Sequence, residues 1–183
     1  MSGYRKALTL LETFNTYMLA AGRQIAWVLV ALMVGTILLQ VFFRYVLNDA
    51  LPWPEEVARA FMIWMMGLVA ASGYRWGAFV AIDMFSDFLP KVIKSTLKIL
   101  LLALALAVLV QLFYLAIEFF QRGFRTRAAS FHLSRAWIYL AMPVCFGSML
   151  MVNIEMLMRE LGRAFGDPAD YPEPEKPSLE AAE

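Results

Sequence analysis

Residues 26–43 read AWVLVALMVGTILLQVFF, an unbroken apolar stretch that contains no Asp, Glu, Lys, Arg or His. Three further stretches share this character, at 60–74, 99–117 and 136–154. A chain of 183 residues is too short to bury four such segments inside one water-soluble globule. A helix of about 20 apolar residues, in contrast, spans a hydrocarbon core of roughly 30 Å. The sequence therefore predicts an all-α integral membrane protein with four transmembrane helices.

The composition is typical of a membrane protein and argues against a metal or cofactor site. Hydrophobic residues make up 61% of the chain and charged residues 17%, outside the usual range of soluble domains. The formal net charge of +1 points to neither nucleic acid nor an acidic ligand. Cys145 is the single cysteine and His132 the single histidine, which argues against an internal disulfide and a histidine-based metal site. The composition predicts no cofactor and no metal.

The boundaries of the spans follow from where charged and helix-breaking residues resume. We place the spans at about residues 25–46, 55–74, 97–121 and 134–158, within a transmembrane domain of residues 25–163. Pro52 and Pro54 prevent the first helix from continuing. Glu55 and Glu56 favour the start of the next helix, because carboxylates stabilise a helix N-terminus. The sequence therefore predicts a tight turn between the first two spans.

Three segments outside the spans carry their own signals. Residues 1–24 are amphipathic, which predicts a lead-in helix that lies in the interface or continues into the first span. Residues 78–94 place apolar residues on one face and charged residues on the other, which predicts an interfacial amphipathic helix between the second and third spans. On that helix Asp83 and Asp87 could share a cation or form a solvated face. Residues 164–183 are acidic and rich in proline, which predicts a disordered tail.

The distribution of basic residues predicts the orientation. An even number of spans puts both termini on one side, where nine Lys and Arg residues up to Arg163 lie, against six on the other side. The positive-inside rule therefore places both termini in the cytoplasm. The outer side would carry a basic loop over residues 121–135, without an acidic residue. Its arginines, which should attract a negatively charged lipid or protein partner, are Arg122, Arg125, Arg127 and Arg135.

Charged residues also gather where the first two spans meet. The sequence predicts a structural ion-pair cluster there, with local helix capping as the alternative. Its members are Arg44, Glu55, Glu56 and Arg59. The candidate interface aromatics are Trp53, Trp64 and Trp137. Trp64 could pack against another membrane subunit or face lipid.

The stretch FFRYVLNDALPWPEEVARAFMIWMMGLVAASGYRWGAFVAIDMF, residues 42–85, resembles the signature region of a known family: the small membrane subunit (DctQ type) of tripartite ATP-independent periplasmic (TRAP) transporters. The residues that carry the resemblance are Arg44, Pro52, Trp53, Glu55, Glu56, Arg59, Trp64, Arg75, Gly77, Ile82 and Asp83. The later LSRAWIYLAMPV, residues 133–144, resembles the start of that family's last span. Ala78–Phe79 is a departure, because many relatives carry a histidine there. The resemblance extends over about residues 22–162.

The resemblance implies a role and a set of partners. In such systems a periplasmic protein captures an organic anion, often a carboxylate, and a large membrane subunit moves it inward with a sodium gradient. The small subunit is a non-catalytic scaffold of the bacterial inner membrane that packs against the large one and helps dock the periplasmic substrate-binding protein. On this interpretation, Arg75 and Asp83 would anchor the interfacial segment. The basic loop would contact the binding protein or lipid.

Two other functions remain open from the residues alone. A self-contained small homo-oligomeric channel or transporter would need polar groups along a pathway, for which Gln40, Gln111 and Asn153 are few. A membrane enzyme or redox subunit would need ligands or a nucleophile. Ser130 and His132 lie two residues apart, but no third group completes a hydrolase arrangement. The sequence therefore favours a scaffold that is not an enzyme.

Overall fold

The computed structural model describes residues 2–86, 91–125, 134–165 and Tyr171. Five helices account for most of these residues, and no β-strand forms among them. They are α1 (Ser2–Tyr45), α2 (Pro54–Ser86), α3 (Lys91–Gly123), α4 (Ala136–Tyr139) and α5 (Ala141–Phe165). Four stretches are helical, long and apolar enough to cross a membrane: Gly3–Tyr45, Pro54–Gly77, Ile93–Gly123 and Ala136–Phe165. The predicted all-α fold with four candidate spans is confirmed.

The first helix is longer than a membrane crossing requires. α1 has 44 residues, and at a rise of 1.5 Å per residue it is about 66 Å long. The lead-in segment and the first span are one continuous helix, which no proline interrupts. The helix ends just before Asn48, which has a φ of 53°, a left-handed conformation that asparagine tolerates better than most residues. The chain thus turns within a few residues and enters α2 at Pro54.

The second helix continues past its predicted end. α2 runs to Ser86, so the first part of the predicted interfacial segment is a helical extension of the second span. The backbone of Asp83 lies in this extension, whereas Asp87 falls outside the described residues. The location of this segment in the membrane interface stays a prediction.

Helices α4 and α5 form one interrupted span. Pro143 has no backbone N–H with which to donate to the carbonyl of Tyr139, so the helical ladder breaks there. The chain continues through Leu140, whose N–H donates to the carbonyl of Ala136 at 2.8 Å. Pro143 is therefore associated with a break between two helices within this span.

The helices pack in the order α1, α2, α5, α3. α1 packs mainly on α2, α2 on α5, and α3 on α5, which leaves α1 and α3 at opposite edges. α2 and α5 approach closely at Gly67, where an added Cβ atom would lie 3.0 Å from the carbonyl oxygen of Ala141. The buried apolar core lies where α1, α2, α3 and α5 converge at one end of the bundle; it is formed by Leu19, Ala71, Leu102, Val152 and Met156.

Candidate functional site: charged clusters at the two ends of the bundle

The end of the bundle that holds the apolar core also holds a polar cluster. Its four central side chains come from three helices and are buried; they are Asn15, Arg75, Glu155 and Arg159. Glu12 and Thr16 of α1 lie at its rim. Glu155 and Arg159 are four residues apart on α5 and Glu12 and Asn15 three apart on α1, so each pair lies on one helix face.

Glu155 is the centre of the polar cluster. Its Oε1 atom accepts hydrogen bonds from Nη2 of Arg75 at 2.7 Å and from Nη2 of Arg159 at 3.0 Å. Its Oε2 atom accepts from Nδ2 of Asn15 at 2.7 Å. The carboxylate is fully buried, and it is therefore joined to α1, to α2 and to its own helix without contact with solvent.

The rim residues complete the charge balance of the polar cluster. Nη2 of Arg159 lies 2.9 Å from Oε1 of Glu12, and Nη1 of Arg75 donates to Oγ1 of Thr16 at 3.1 Å. Two guanidinium groups thus face two carboxylates. Buried charges are tolerated when they are paired and hydrogen-bonded, so the polar cluster can hold α1, α2 and α5 in one arrangement.

The C-terminal segment contacts the same end of the molecule. Tyr171 is buried, and its ring centroid lies 6.4 Å from that of Tyr4 on α1. Its carbonyl accepts a hydrogen bond from Nε of Arg163 at 2.7 Å. An added Cβ atom on Gly162 would lie 2.7 Å from the Tyr171 ring, so this glycine makes room for the tyrosine. Ala164 and Phe165, at the start of the predicted tail, belong to α5, and apart from Tyr171 the other residues of that tail fall outside the described residues.

At the opposite end, the turn between α1 and α2 shows part of the predicted ion-pair cluster. Nη2 of Arg59 lies 2.9 Å from Oε1 of Glu55, and both side chains are exposed. Glu56 is in the same first turn of α2, and Arg44 is exposed in the last turn of α1. Among the described residues, Arg44 forms no ion pair with a glutamate. The four-residue cluster stays a prediction.

The three candidate interface aromatics have different surroundings. Nε1 of Trp64 donates to the carbonyl of Trp137 at 3.1 Å, which joins α2 to α4. The side chain of Trp137 and that of Trp53 are exposed. Trp64 therefore makes a contact within the chain, and the outward rings of the other two are open to lipid or to a partner.

The end of α3 and the start of α4 form a second compact corner. Oγ of Ser134 donates to the carbonyl of Gly123 at 3.0 Å and accepts from the N–H of Ala136 at 3.2 Å. An added Cβ atom on Gly123 would lie 2.7 Å from Cα of Ala136, so only glycine permits this approach. We call this corner the loop end, because it closes the basic loop.

Three arginines of the basic loop lie at or beside the loop end. Nη2 of Arg122 lies 2.6 Å from Oε1 of Glu118, one turn earlier on α3. The N–H of Arg125 donates to the carbonyl of Arg122 at 3.1 Å, and Arg135 precedes α4 directly. Arg127, the fourth predicted docking residue, falls outside the described residues.

Arg75 and Asp83 are the two residues predicted to anchor the interfacial segment. Arg75 contacts Glu155 and Thr16 within the polar cluster, and the side chain of Asp83 falls outside the description. Their joint role in anchoring the interfacial segment stays a prediction, but the contacts of Arg75 show a role in joining helices that sequence reasoning missed.

Sequence reasoning also missed Asn15 and Glu155 as site residues. The signal for Asn15 lies in the spacing of α1, where it shares one buried face with Leu8, Leu19 and Ala26. A polar residue on an otherwise apolar face needs a partner on a neighbouring helix. For Glu155, the signal is its position next to an apolar stretch, four residues before Arg159. Within the described residues, no group of three or more His, Cys, Asp or Glu side chains could hold a metal ion.

Comparison with known proteins gives two matches. Residues 33–163 match the family model described as "Tripartite ATP-independent periplasmic transporters, DctQ component". The chain is also 32% identical, over 127 residues, to the sialic acid TRAP transporter small permease protein SiaQ of Vibrio cholerae serotype O1. That alignment covers 68% of this chain and 70% of the relative. The family match includes Arg75 and Glu155, but it begins after Glu12 and Asn15 of the polar cluster.

Proposed function

The chain belongs to the DctQ family of TRAP transporter components, and on that premise we propose that it is the static framework on which the large transport subunit of its system is assembled. The family makes it a small membrane subunit of a TRAP transporter, a transport component and not an enzyme. The same family implies a large membrane subunit and a substrate-binding protein as its partners. The framework role, the cargo and the docking surface are our proposal.

The polar cluster is the observation that carries the framework role. A movement of α5 against its neighbours during transport would have to separate Glu155 from its donors on α1 and α2. Breaking a buried ion pair costs about 3–5 kcal/mol, because a charge is left without compensation. Such a cluster is suited to a part of a transporter that keeps one conformation while a partner moves.

The cargo that we propose is an organic anion, a carboxylate, moved inward with a sodium gradient by the large subunit. The described residues of this chain include no group of three or more His, Cys, Asp or Glu side chains that could hold a metal ion. We assign neither substrate nor sodium ligands to this chain. The relative from Vibrio cholerae is named for sialic acid, which is itself a carboxylic acid. One relative supports the class of cargo and does not identify the compound.

We propose that both termini lie in the cytoplasm of the bacterium and that the chain crosses the inner membrane. The polar cluster would then lie on the cytoplasmic side and the loop end on the periplasmic side. Arg125 is exposed just beyond the last turn of α3. With Arg127, it would help to dock the periplasmic binding protein through long-range attraction.

The experiment that tests the framework role is a purification in mild detergent from native membranes, with a tag at the C-terminus. We expect a much larger polytopic protein to copurify in stoichiometric amount. Transport of the cargo in liposomes should then require that protein and the binding protein in addition to this chain. A chain that purifies alone or only with itself would contradict the proposal and would favour a small homo-oligomeric channel or transporter.

A further inference from the structure

A cleft opens between α3 and α5 beside the loop end. Its volume is about 340 Å³, within the range of about 300–1,000 Å³ that small-molecule sites occupy. The apolar residues that line it are Leu112, Leu115, Ala116, Phe119, Met142 and Phe146. Glu118 and Arg122 supply its polar lining.

The depth of the cleft comes from one small residue. Ala116 is 3% exposed, whereas Leu115 is 47% exposed and Met142 is 42% exposed. The cleft therefore has a buried alanine at its floor and larger apolar side chains along its rim. This shape fits a narrow apolar chain better than a flat ring.

The charge beside the cleft is positive. Nη2 of Arg122 lies 2.6 Å from Oε1 of Glu118. The Arg122 side chain is nevertheless 70% exposed, so its other N–H donors remain accessible. Arg125 follows one turn later and Arg135 lies across the loop end. Among the described residues, this corner therefore carries three arginines and one glutamate. A phosphate group is a strong acceptor for guanidinium donors.

We propose that this cleft binds an acyl chain of an anionic phospholipid, with the lipid phosphate held by Arg122 at the end of α3. Two parts of the site would select the ligand. The apolar lining of the cleft favours an acyl chain, and the excess positive charge beside the cleft favours an anionic headgroup. Arginines near the membrane surface attract anionic headgroups. This site goes beyond the transport role, since it depends only on this chain and on the bilayer.

The test is lipid retention by the purified full chain, measured by native mass spectrometry after exchange into phosphatidylglycerol or phosphatidylcholine. We expect one phosphatidylglycerol to be retained per chain and phosphatidylcholine to be lost. Arg122→Gln should weaken retention on the order of tenfold, the effect of one lost charge-assisted hydrogen bond. Leu115→Trp should also release the lipid, because the indole would occupy the rim of the cleft.

Arg59→Gln is the matched control. Arg59 is 65% exposed and pairs with a glutamate four residues away, as Arg122 does, but it lies outside the cleft lining. Retention should be unchanged in this variant. Equal losses from Arg59→Gln and Arg122→Gln, or equal retention of the two lipids, would overturn the proposal in favour of nonspecific surface attraction.

A folding check keeps the experiment decisive. Circular dichroism and gel filtration identify any variant that has lost its structure, and Met142→Trp on the opposite rim replaces Leu115→Trp if the latter misfolds. Retention that persists in Arg122→Gln and in a folded rim variant would show that the cleft is not a lipid site. In that case we would expect the apolar cleft to bind a side chain of the large subunit.

Discussion

Glu155 illustrates how one buried carboxylate requires hydrogen-bond donors on the side chains that surround it. Its carboxylate is fully buried and accepts hydrogen bonds from Asn15, Arg75 and Arg159, which lie on α1, α2 and α5. Replacing Glu155 removes the carboxylate that Arg75 and Arg159 share, whereas a surface pair of the same spacing has water as an alternative partner. The two kinds of ion pair in this chain should therefore respond very differently to mutation.

We predict that Glu155→Gln lowers the free energy of unfolding by about 3–5 kcal/mol, because two buried guanidinium groups lose their shared carboxylate. Glu118→Gln is the control, since Glu118 is 47% exposed and its pair with Arg122 should contribute about 1 kcal/mol or less. Unfolding in mixed detergent micelles, followed by circular dichroism, measures both. Similar losses in the two variants would contradict the importance of the polar cluster.

A second prediction at the residue scale concerns Arg125. Reversing its charge with Arg125→Glu should slow uptake several-fold when the binding protein is limiting, because the electrostatic steering of that protein is weakened. The effect should shrink at high salt or at saturating binding protein. Uptake by reconstituted transporter, with copurification of the large subunit as the check on assembly, measures it.

The control for Arg125→Glu is Arg59→Glu, which reverses an exposed arginine at the same end of the bundle. If both variants slow uptake equally, the effect belongs to the general charge of that surface. Unchanged uptake in Arg125→Glu at limiting binding protein would remove this residue from the docking surface.

Among the elements, the helices illustrate what an apolar pattern can and cannot predict. Four spans follow from four apolar stretches, and the turn before α2 follows from Pro52 and Pro54. The continuous run of α1 from Ser2 to Tyr45 is harder to predict, because an amphipathic lead-in and a span look alike whether or not they are joined. A joined and a separate lead-in helix are distinguished only by the contacts that α1 makes with α2 and α5 in the folded chain.

The same limit applies to the site. Glu55 and Arg59 are two members of the predicted ion-pair cluster, and their spacing alone brings them together on one helix face. Arg75 and Glu155 lie 80 residues apart, and their contact depends on how α2 and α5 are rotated against each other. The local spacing of residues carries no information on how two helices are rotated against each other. The sequence analysis therefore did not predict the polar cluster.

Where α3 meets α4, the packing yields a prediction about a glycine. Gly123→Ala should destabilise the protein by about 1–3 kcal/mol, because the new methyl group would lie 2.7 Å from Cα of Ala136 and the backbone must move. In Gly35→Ala the methyl group meets no atom within 4 Å, and the change should be neutral or stabilising by about 0.5–1 kcal/mol. Thermal melts of the two purified variants distinguish these effects, and a stable Gly123→Ala would show that the corner can relax.

Across the whole molecule, Tyr171 contacts both the first helix and the last one. It packs against Tyr4 and Gly162, so this side chain covers the beginning of α1 and the end of α5. The edges of the bundle are different, since the outward faces of α1 and α3 carry large exposed apolar side chains, such as Trp27 and Leu104. Those faces are suited to lipid and to the large subunit.

We predict that Tyr171→Ala loosens the first turns of α1, because burial of a large side chain contributes roughly 1.5–3 kcal/mol. Hydrogen exchange of the amides around Tyr4 should become faster, while exchange around Leu102 should not change. Tyr45→Ala, which alters a tyrosine that is mostly exposed, serves as the control. Unchanged exchange near Tyr4 would show that Tyr171 does not hold this end closed.

The shared carboxylate of Glu155 also has a consequence for biosynthesis. The ribosome makes the chain from its N-terminus, so Asn15 and Arg75 emerge long before Glu155, which lies 80 residues after Arg75. Until α5 has been synthesised, Arg75 has no access to the anion that neutralises it in the finished protein. The span that contains α5 therefore completes the polar cluster, and a copy truncated before α5 would keep Arg75 without the carboxylate of Glu155.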